Sequence, residues 1–305
     1  MDTTPQDITV EGLTRRFGDL TAVDHVDFTV EQGMMTGFVG GNGAGKTTTM
    51  RMIMGVLSVT EGRVLWGDRP ITTADQRTIG YMPEERGLYP KQKVLDQLIH
   101  LGQLKGLSRT AARRSVMVLL ERLRLADRAH DPVESLSLGN QQRVQIAAAL
   151  TIEPAALILD EPFSGLDPDA VDSMADLLRE HTSRGVPVLF SSHQLDLVDR
   201  LCDRLVILAK GRVRASGSPT ELRGGAPQRH RLVAVRDAGW VRELPGLAAV
   251  DVDGPTAIID IPTDSEEERR RLLGEVLAEG LRRGGVLEVS PIVPPLSEVY
   301  REVTA

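Results

Sequence analysis

Apolar and polar positions alternate over residues 8–30, with turn signals at Gly12, Gly18-Asp19 and Glu31-Gln32-Gly33, and this predicts two or three half-buried strands. Residues 35–39, Met-Thr-Gly-Phe-Val, then read as a buried strand, and residues 48–54 read as the opening turns of a helix. A short strand over 77–82 is stopped by Pro83, with Glu84 at its exit. The period turns helical over 90–129, where Val116, Leu119, Leu120 and Leu123 share one face, and it stays helical over 141–150 and 172–183. Two more apolar strands, 155–159 and 186–190, run into Asp160-Glu161-Pro162 and Ser191-Ser192-His193.

Four predicted strands therefore lead into polar groups: Val39 into a glycine-rich loop, Met82-Pro83 into Glu84, Leu159 into Asp160 and Phe190 into His193. Helices separate most of them, which implies parallel strands, and parallel sheets bind ligands at the carboxyl ends of their strands. The four groups are expected on one edge. Residues 219–228, with Gly217, Gly224, Gly225 and Pro227, mark a boundary between a first domain over 1–223, carrying a helical insert at about 85–135, and a second over 229–305. The second domain reads strand, short helix, strand, strand, helix, strand and a final helix, the ferredoxin-like order. Its long helix, 266–282, carries a predicted capping box of Ser265 with Glu268 and a predicted apolar face of Leu273, Leu277 and Leu281. Its run Arg269–Arg271 reads as a solvated face.

Composition narrows the class. At 305 residues, 41% hydrophobic and 26% charged, the chain has the profile of a soluble protein of one large or two medium domains. A net charge of −7 argues against a nucleic-acid partner, which would want a basic face. No apolar run approaches the roughly 18 residues that cross a bilayer, and the polar N-terminus lacks the layout of a signal peptide, so a cytoplasmic location is expected. The single cysteine, Cys202, is expected to be a buried inert thiol. Arginine outnumbers lysine 31 to 5, and the arginines are interleaved with acids.

The chemistry centres on Gly40-Gly41-Asn42-Gly43-Ala44-Gly45-Lys46-Thr47-Thr48, which fits GxxxxGK[ST] between a strand and a helix. Glycines let successive N–H groups face inward on an anion, and the helix N-terminus adds partial positive charge. Lys46 is expected to reach the β- and γ-phosphates, and the Thr47 hydroxyl to ligate Mg²⁺. Phe17, taken alone, reads as a core residue more readily than as a ligand contact.

The ordered set of this loop, Leu136-Ser137-Leu138-Gly139-Asn140, Asp160-Glu161-Pro162, Ser164-Gly165-Leu166-Asp167 and His193 resembles the ATP-binding subunit of ABC transporters over about residues 7–223. The resemblance implies an α/β fold, the P-loop NTPase core of an ABC-type ATPase with a helical subdomain, followed here by the small α+β ferredoxin-like domain. It makes Phe17 the aromatic on adenine, a place usually held by tyrosine, and sets Gly41 where proline is common. Glu84 takes the place of the usual glutamine that senses Mg²⁺ and the γ-phosphate. Ser137, Gly139 and Asn140 fall in the signature loop, usually Ser-Gly-Gly-Gln, which contacts ATP held by another copy, so a dimer of ATP-binding subunits is implied; Leu138 replaces a glycine. Asp160 is implied as a Mg²⁺ ligand, Glu161 as the residue that orients or deprotonates the attacking water, and His193 as the switch between Glu161, the γ-phosphate and Asp167 of the facing copy.

The resemblance further implies a separate transmembrane permease as partner and a peripheral position on the inner face of the membrane. The Glu84–Tyr89 run Glu-Glu-Arg-Gly-Leu-Tyr, the Leu-Gly-Asn variant and the C-terminal domain resemble exporter-type ATPases of the drug-resistance and sodium-extrusion kind. The alternative is a soluble ABC-type ATPase acting on ribosomes or DNA. Against it stand a single cassette and the mere 91 positions between Lys46 and Ser137, too few for a long coiled coil.

Overall fold

The alternating segment becomes two long antiparallel strands, β1 (Ile8–Phe17) and β2 (Leu20–Val30), joined at Gly18-Asp19. Gly12 makes no turn: it lies inside β1 at φ 55, where the register with β2 shifts between Val10 and Leu13. A bulge of this kind bends a strand without ending it. The computed structural model describes residues 4–85, 87–224, 229–263 and 265–304. Arg86 of the Glu84–Tyr89 run and residues 225–228 of the predicted boundary lie outside the described residues.

The chain divides into two compact units, Met1–Pro219 with Tyr300–Ala305, and Thr220–Val299. In the first, β3 (Met35–Val39) leads into α1 (Lys46–Ile53), followed by β4 (Glu61–Trp66), β5 (Arg69–Pro70), α2 (Thr73–Thr78) and β6 (Ile79–Met82). The helical insert comprises α3 (Val94–Leu104) and α4 (Arg109–Arg122). Then come α5 (Leu138–Ala149), β7 (Ala156–Leu159), α6 (Pro168–Ser183), β8 (Val188–Ser192), α7 (Leu195–Leu201), β9 (Arg204–Ala209) and β10 (Arg212–Gly217).

Two sheets result. One is antiparallel in the order β2-β1-β4-β5, and the other runs β10-β9-β3-β8-β7-β6. In the second, β9, β3, β8, β7 and β6 are parallel and only β10 is antiparallel. Every residue of β3, β7 and β8 is buried, which is why these strands read as largely apolar, broken only by Thr36 in β3 and by Ser191 and Ser192 at the end of β8. Side chains from both sheets, among them Ile8, Val10, Phe28, Phe38, Trp66 and Leu189, share one core, with the Phe28 and Phe38 ring centroids 5.1 Å apart.

The helices begin where side chains can satisfy their free N–H groups. Thr72 and Asp75 form a complete capping box on α2, and Ser108, Ser137 and Asp167 cap α4, α5 and α6. Because Ser137 is the N-cap, α5 starts at Leu138, three residues before the helix expected at 141. Likewise Asp167, with Pro168 at the first helical position, starts α6 earlier than the expected 172. Cys202 ends α7, and burial raises its thiol pKa well above the usual range.

After α8 (Pro219–Leu222), the second unit contains β11 (Arg229–Ala234), a 3-10 turn at Gly239–Glu243, β12 (Ala248–Asp253), β13 (Thr256–Asp260), α9 (Glu266–Arg282) and β14 (Val286–Pro291), and α10 (Leu296–Thr304) ends the chain. The four strands form an antiparallel sheet in the order β12-β13-β11-β14, as in ferredoxin-like folds. The expected short helix is the 3-10 turn, whose Trp240 and Val241 enter a core with Leu232, Ile259 and Val276.

Two details of α9 differ from the sequence reading. Its buried face is Leu272, Val276 and Gly280, whereas Leu273 is half-buried and Leu277 and Leu281 are exposed. Gly280 fixes that choice: a Cβ there would come within 3.2 Å of the Trp240 ring and 2.2 Å of Val286, so only glycine lets the helix lie this close. The capping box is only half made. Ser265 Oγ accepts the Glu268 N–H, but the Glu268 carboxylate takes its hydrogen bond from Thr263 Oγ1 at 2.8 Å. Arg270 and Arg271 pair with Glu266 and Glu275 along the exposed surface.

Candidate active site

The parallel strands end in register. Met82 pairs with Leu159, Leu159 with Phe190, and Val39 with Ser192. The residues that follow these pairs, Glu84, Asp160 with Glu161, His193 and the loop from Gly40, therefore leave the sheet along one edge. A cleft of about 640 Å³ opens there, lined by residues 42–48, Glu84, Asp160 and Glu161 together with Leu20–Ala22 of β2 and Lys210-Gly211. A concave site at the carboxyl ends of parallel strands is where such folds hold ligands.

The loop is held in shape before any ligand arrives. Gly43 and Gly45 have φ of 75° and 106°, and a Cβ on Gly40 would lie 2.7 Å from the Leu208 carbonyl. These are positions for glycine. Gly45 caps α1 with no side-chain partner, so the first N–H groups of the helix point into the cleft. Lys46 is nearly buried, and its ammonium donates to the carbonyls of Gly40 (2.7 Å) and Gly41 (3.3 Å). An ammonium with only neutral partners in a partly desolvated cleft favours an anion. Asn42, Ala44 and Thr48 contribute to the same wall.

Opposite the loop stand the acids. Asp160 is fully buried, and its Oδ2 has no hydrogen-bond partner among the described residues. Its Oδ1 accepts from Ser191 Oγ at 2.5 Å. The Thr47 hydroxyl donates to Glu84 Oε2 at 3.3 Å. A hydroxyl, an exposed carboxylate and a buried carboxylate with an open oxygen are hard oxygen donors of the kind Mg²⁺ takes. Among the described residues no group of three or more His, Cys, Asp or Glu could hold a metal by itself. The donors present suit Mg²⁺ sharing its coordination with phosphate oxygens and water, and in that sense they fit the ion.

Glu161 has an unusual backbone, with φ at 51°, the left-handed region rarely used by a side-chain-bearing residue. Its carboxylate meets His193 Nδ1 at 3.0 Å. Burial pushes the Glu161 carboxyl pKa up, against the lowering effects of His193 and Lys46. A carboxylate with a raised pKa, beside a histidine and facing a phosphate loop, has the properties of a general base.

Other residues singled out in the sequence lie apart from the cleft lining. Phe17 is 45% exposed at the end of β1, with the Arg15 guanidinium 4.5 Å above its ring, so it is not a core residue. Ser137 is exposed and caps α5, accepting the Asn140 N–H, while Gly139 sits in the first turn of that helix near the Gly165 carbonyl. Leu138 is 61% exposed. Asp167 caps α6 through the Ala170 N–H and pairs with Arg143 at 3.4 Å. None of these reaches the cleft within one chain.

Two residues bear on the site without having been picked out. Ser191 bonds both Asp160 and the Glu161 N–H, and Gln142 of α5 donates to the carbonyls of Glu161 (2.9 Å) and Pro162 (3.0 Å). Buried polar residues were the available signal, but only cross-strand pairing reveals their partners.

Comparison with known proteins agrees with this geometry. The ABC transporter family matches residues 23–164. The uncharacterized ABC transporter ATP-binding protein YhaQ of Bacillus subtilis is 46% identical over 216 residues, covering 71% of this chain and 72% of YhaQ. Nod factor export ATP-binding protein I of Burkholderia lata is 37% identical over 219 residues, 70% of this chain and 72% of that protein. A solved ATP-binding subunit of an ABC transporter superposes with a TM-score of 0.65 at 33% identity, covering 71% of this chain and 92% of the other. The chain belongs to the ABC transporter ATP-binding proteins, a family of P-loop ATPases.

Proposed function

We propose that this chain energises export through a separate membrane permease, binding and hydrolysing ATP in the cleft at the strand ends. The observation that carries the chemistry is the alignment of Lys46, Asp160, Glu161 and His193 on one sheet edge. Lys46 exchanges its carbonyl partners for the β- and γ-phosphates, and the amides of residues 41–48 surround the phosphate chain. Thr47, Asp160 and Glu84 hold Mg²⁺, which when bound neutralises the charge of the phosphates. The exposed ring of Phe17 serves the adenine. Glu161 takes a proton from the attacking water, and His193 holds the Glu161 carboxylate toward it, a contribution of about 10²- to 10⁴-fold in rate.

Subunits of this family work with transmembrane partners and dimerise. In this chain Ser137, Gly139 and Asp167 lie outside the cleft, exposed or half-buried, where a second copy could use them. On the proposed reading they complete the γ-phosphate site of the facing copy, so ATP joins two copies and hydrolysis releases them.

The permease reading rests on a groove of about 650 Å³ lined mainly by apolar side chains, including Met54, Ile79, Tyr81, Leu88, Leu101 and Leu104. It adjoins the Glu84 segment and the helical insert, and Leu104 is 70% exposed there. An exposed apolar groove beside a catalytic edge suits a partner helix. The export direction is supported by the similarity to a Nod factor export ATP-binding protein and by the Glu84–Tyr89 run.

The test is co-expression with the neighbouring open reading frames followed by co-purification in detergent, to ask whether a membrane protein associates with this chain. Wild type is expected to co-purify, Leu104→Arg to be lost from the complex, and Lys46→Ala to stay in it. A wild-type chain that binds and hydrolyses ATP yet never associates with a membrane protein would refute the permease reading.

A further inference from the structure

Glu161 is held on three sides, and one of its holders has no assigned role. Its carboxylate meets His193, and its carbonyl accepts from Gln142. Its N–H donates to Ser191 Oγ at 2.8 Å. A peptide N–H can only donate, so the Ser191 oxygen accepts there and its own proton is free to go elsewhere. It goes to Asp160 Oδ1 at 2.5 Å. One hydroxyl thus closes a bridge from the Asp160 side chain to the Glu161 main chain.

The bridge follows from strand register. Leu159 of β7 pairs with Phe190 of β8, so the next residues, Asp160 and Ser191, face each other one step beyond the last pair. Ser191 is fully buried, and the left-handed φ of Glu161 is a conformation that persists only where its surroundings impose it. An alanine at 191 would fill much the same space while removing both bonds. The Asp160 carboxylate would then be free to turn, and the Glu161 peptide would lose the partner that holds its N–H.

We propose that Ser191 is a positioning residue for ATP hydrolysis, its single hydroxyl setting the Asp160 carboxylate and the Glu161 backbone together. The proposal rests on Glu161 acting as the general base. Ser191 touches no reacting atom: it works through Glu161, and displacing a catalytic group by about 1 Å can lower a rate some 10²-fold. The hydrogen bonds of the Ser191 hydroxyl go to Asp160 and Glu161 and none to the phosphate loop, so removing it is expected to leave the loop's own contacts in place.

A mutant cycle between Ser191 and Glu161 tests this, read by single-turnover hydrolysis, ATP affinity from calorimetry and melting temperature. Ser191→Ala is expected to lower the hydrolysis rate about 10- to 100-fold, with ATP affinity within about 2-fold of wild type. In a Glu161→Gln background the same change is expected to lower the residual rate less than about 3-fold, because the carboxylate base that the held backbone aims is already gone and only the Asp160 arm of the bridge is left to lose. Ser191→Thr, which keeps the hydroxyl, is expected to restore most of the rate. Equal rate losses from Ser191→Ala in both backgrounds would overturn the proposal, as would a wild-type rate for the single variant. A Ser191→Ala protein that loses ATP affinity and melting temperature in step with its rate would mark a structural residue and likewise overturn it. A Glu161→Gln protein that hydrolyses normally would instead refute the general-base reading, a separate result from an additive cycle.

Discussion

The parallel sheet of the first unit and the antiparallel sheet of the second use polar residues in opposite ways. In the first, the central strands are buried on both faces, and polar groups gather where the strands stop: Asp160, Ser191 and Ser192 are all buried. Asp160 even keeps an oxygen without a partner. In the second, the edge strands β12 and β14 have no fully buried residue, and the acids of α9 spend their charge on neighbouring arginines, as Glu279 does with Arg282 and Arg283. A carboxylate paired in water contributes little to stability and offers nothing to a ligand, whereas one buried with an open oxygen is poised for chemistry. Asp260 Oδ1 of β13 is also buried without a partner among the described residues, so an open oxygen alone does not make a site; what sets the first unit apart is that Asp160, Glu161, His193 and the phosphate loop leave its sheet along one edge.

The sharpest way to break this contrast is Glu161→Gln. It keeps the shape of the site and removes the base, so turnover is expected to fall about 10²- to 10⁴-fold while ATP still binds, as a phosphate-release assay and calorimetry would report. A comparably large effect of the opposite kind is expected in the second unit. Trp240→Ala empties a core position that is 6% exposed and is expected to destabilise that unit by about 3–5 kcal/mol, read by calorimetric unfolding. ATP affinity is expected to stay unchanged, because the described residues that line the cleft all belong to the first unit.

Acidity sharpens the comparison further. Burial raises the Glu161 carboxyl pKa, so the folded chain holds that proton more tightly than the unfolded chain does. The stability this gives is present at low pH and is lost as pH rises through the folded value. Catalysis runs the other way. The base works deprotonated, so turnover is expected to fall as pH drops through the raised pKa, giving an acid limb above the usual carboxyl range. His193→Ala removes a partner that lowers this pKa and is expected to move the limb to higher pH in a pH–rate profile.

The smallest expected effect is at Asp75, whose carboxyl is held far below its usual range by Arg69 first and by Thr72. A depressed carboxyl pKa contributes stability above the unfolded value and loses it as pH falls through the folded one. Asp75→Asn is expected to cost about 1 kcal/mol at neutral pH, since it weakens an ion pair whose arginine is exposed and a capping box. Denaturant unfolding should find that difference shrinking in acid.

These contrasts also explain what could be read before the structure. Buried parallel strands announce themselves as apolar runs, and the glycine-lysine loop announces its turn because the conformations at Gly43 and Gly45 demand glycine. Helix starts at Ser137 and Asp167 fell earlier than periodicity suggested, because a cap satisfies N–H groups three residues ahead of the apolar stripe. The face of α9 is not legible in the sequence, since three leucines outweigh a glycine in any hydrophobic pattern, yet Gly280 decides the packing by what it leaves out. Phe17 looked like core and is exposed, for a strand end gives an apolar ring no sheet to cover it. Ser191 was invisible for a different reason. Its importance lies in a residue thirty-one positions away, and only the register of two strands brings them together.

The central claim is that ATP is gripped at the aligned strand ends and that a second copy completes the grip. Sedimentation of the Glu161→Gln chain with and without MgATP tests it most directly. The account predicts a monomer without nucleotide and, with MgATP, a dimer that retains unhydrolysed ATP and disappears when Lys46→Ala is added. A chain that stays monomeric while saturated with MgATP, or that dimerises equally well without nucleotide, would contradict it.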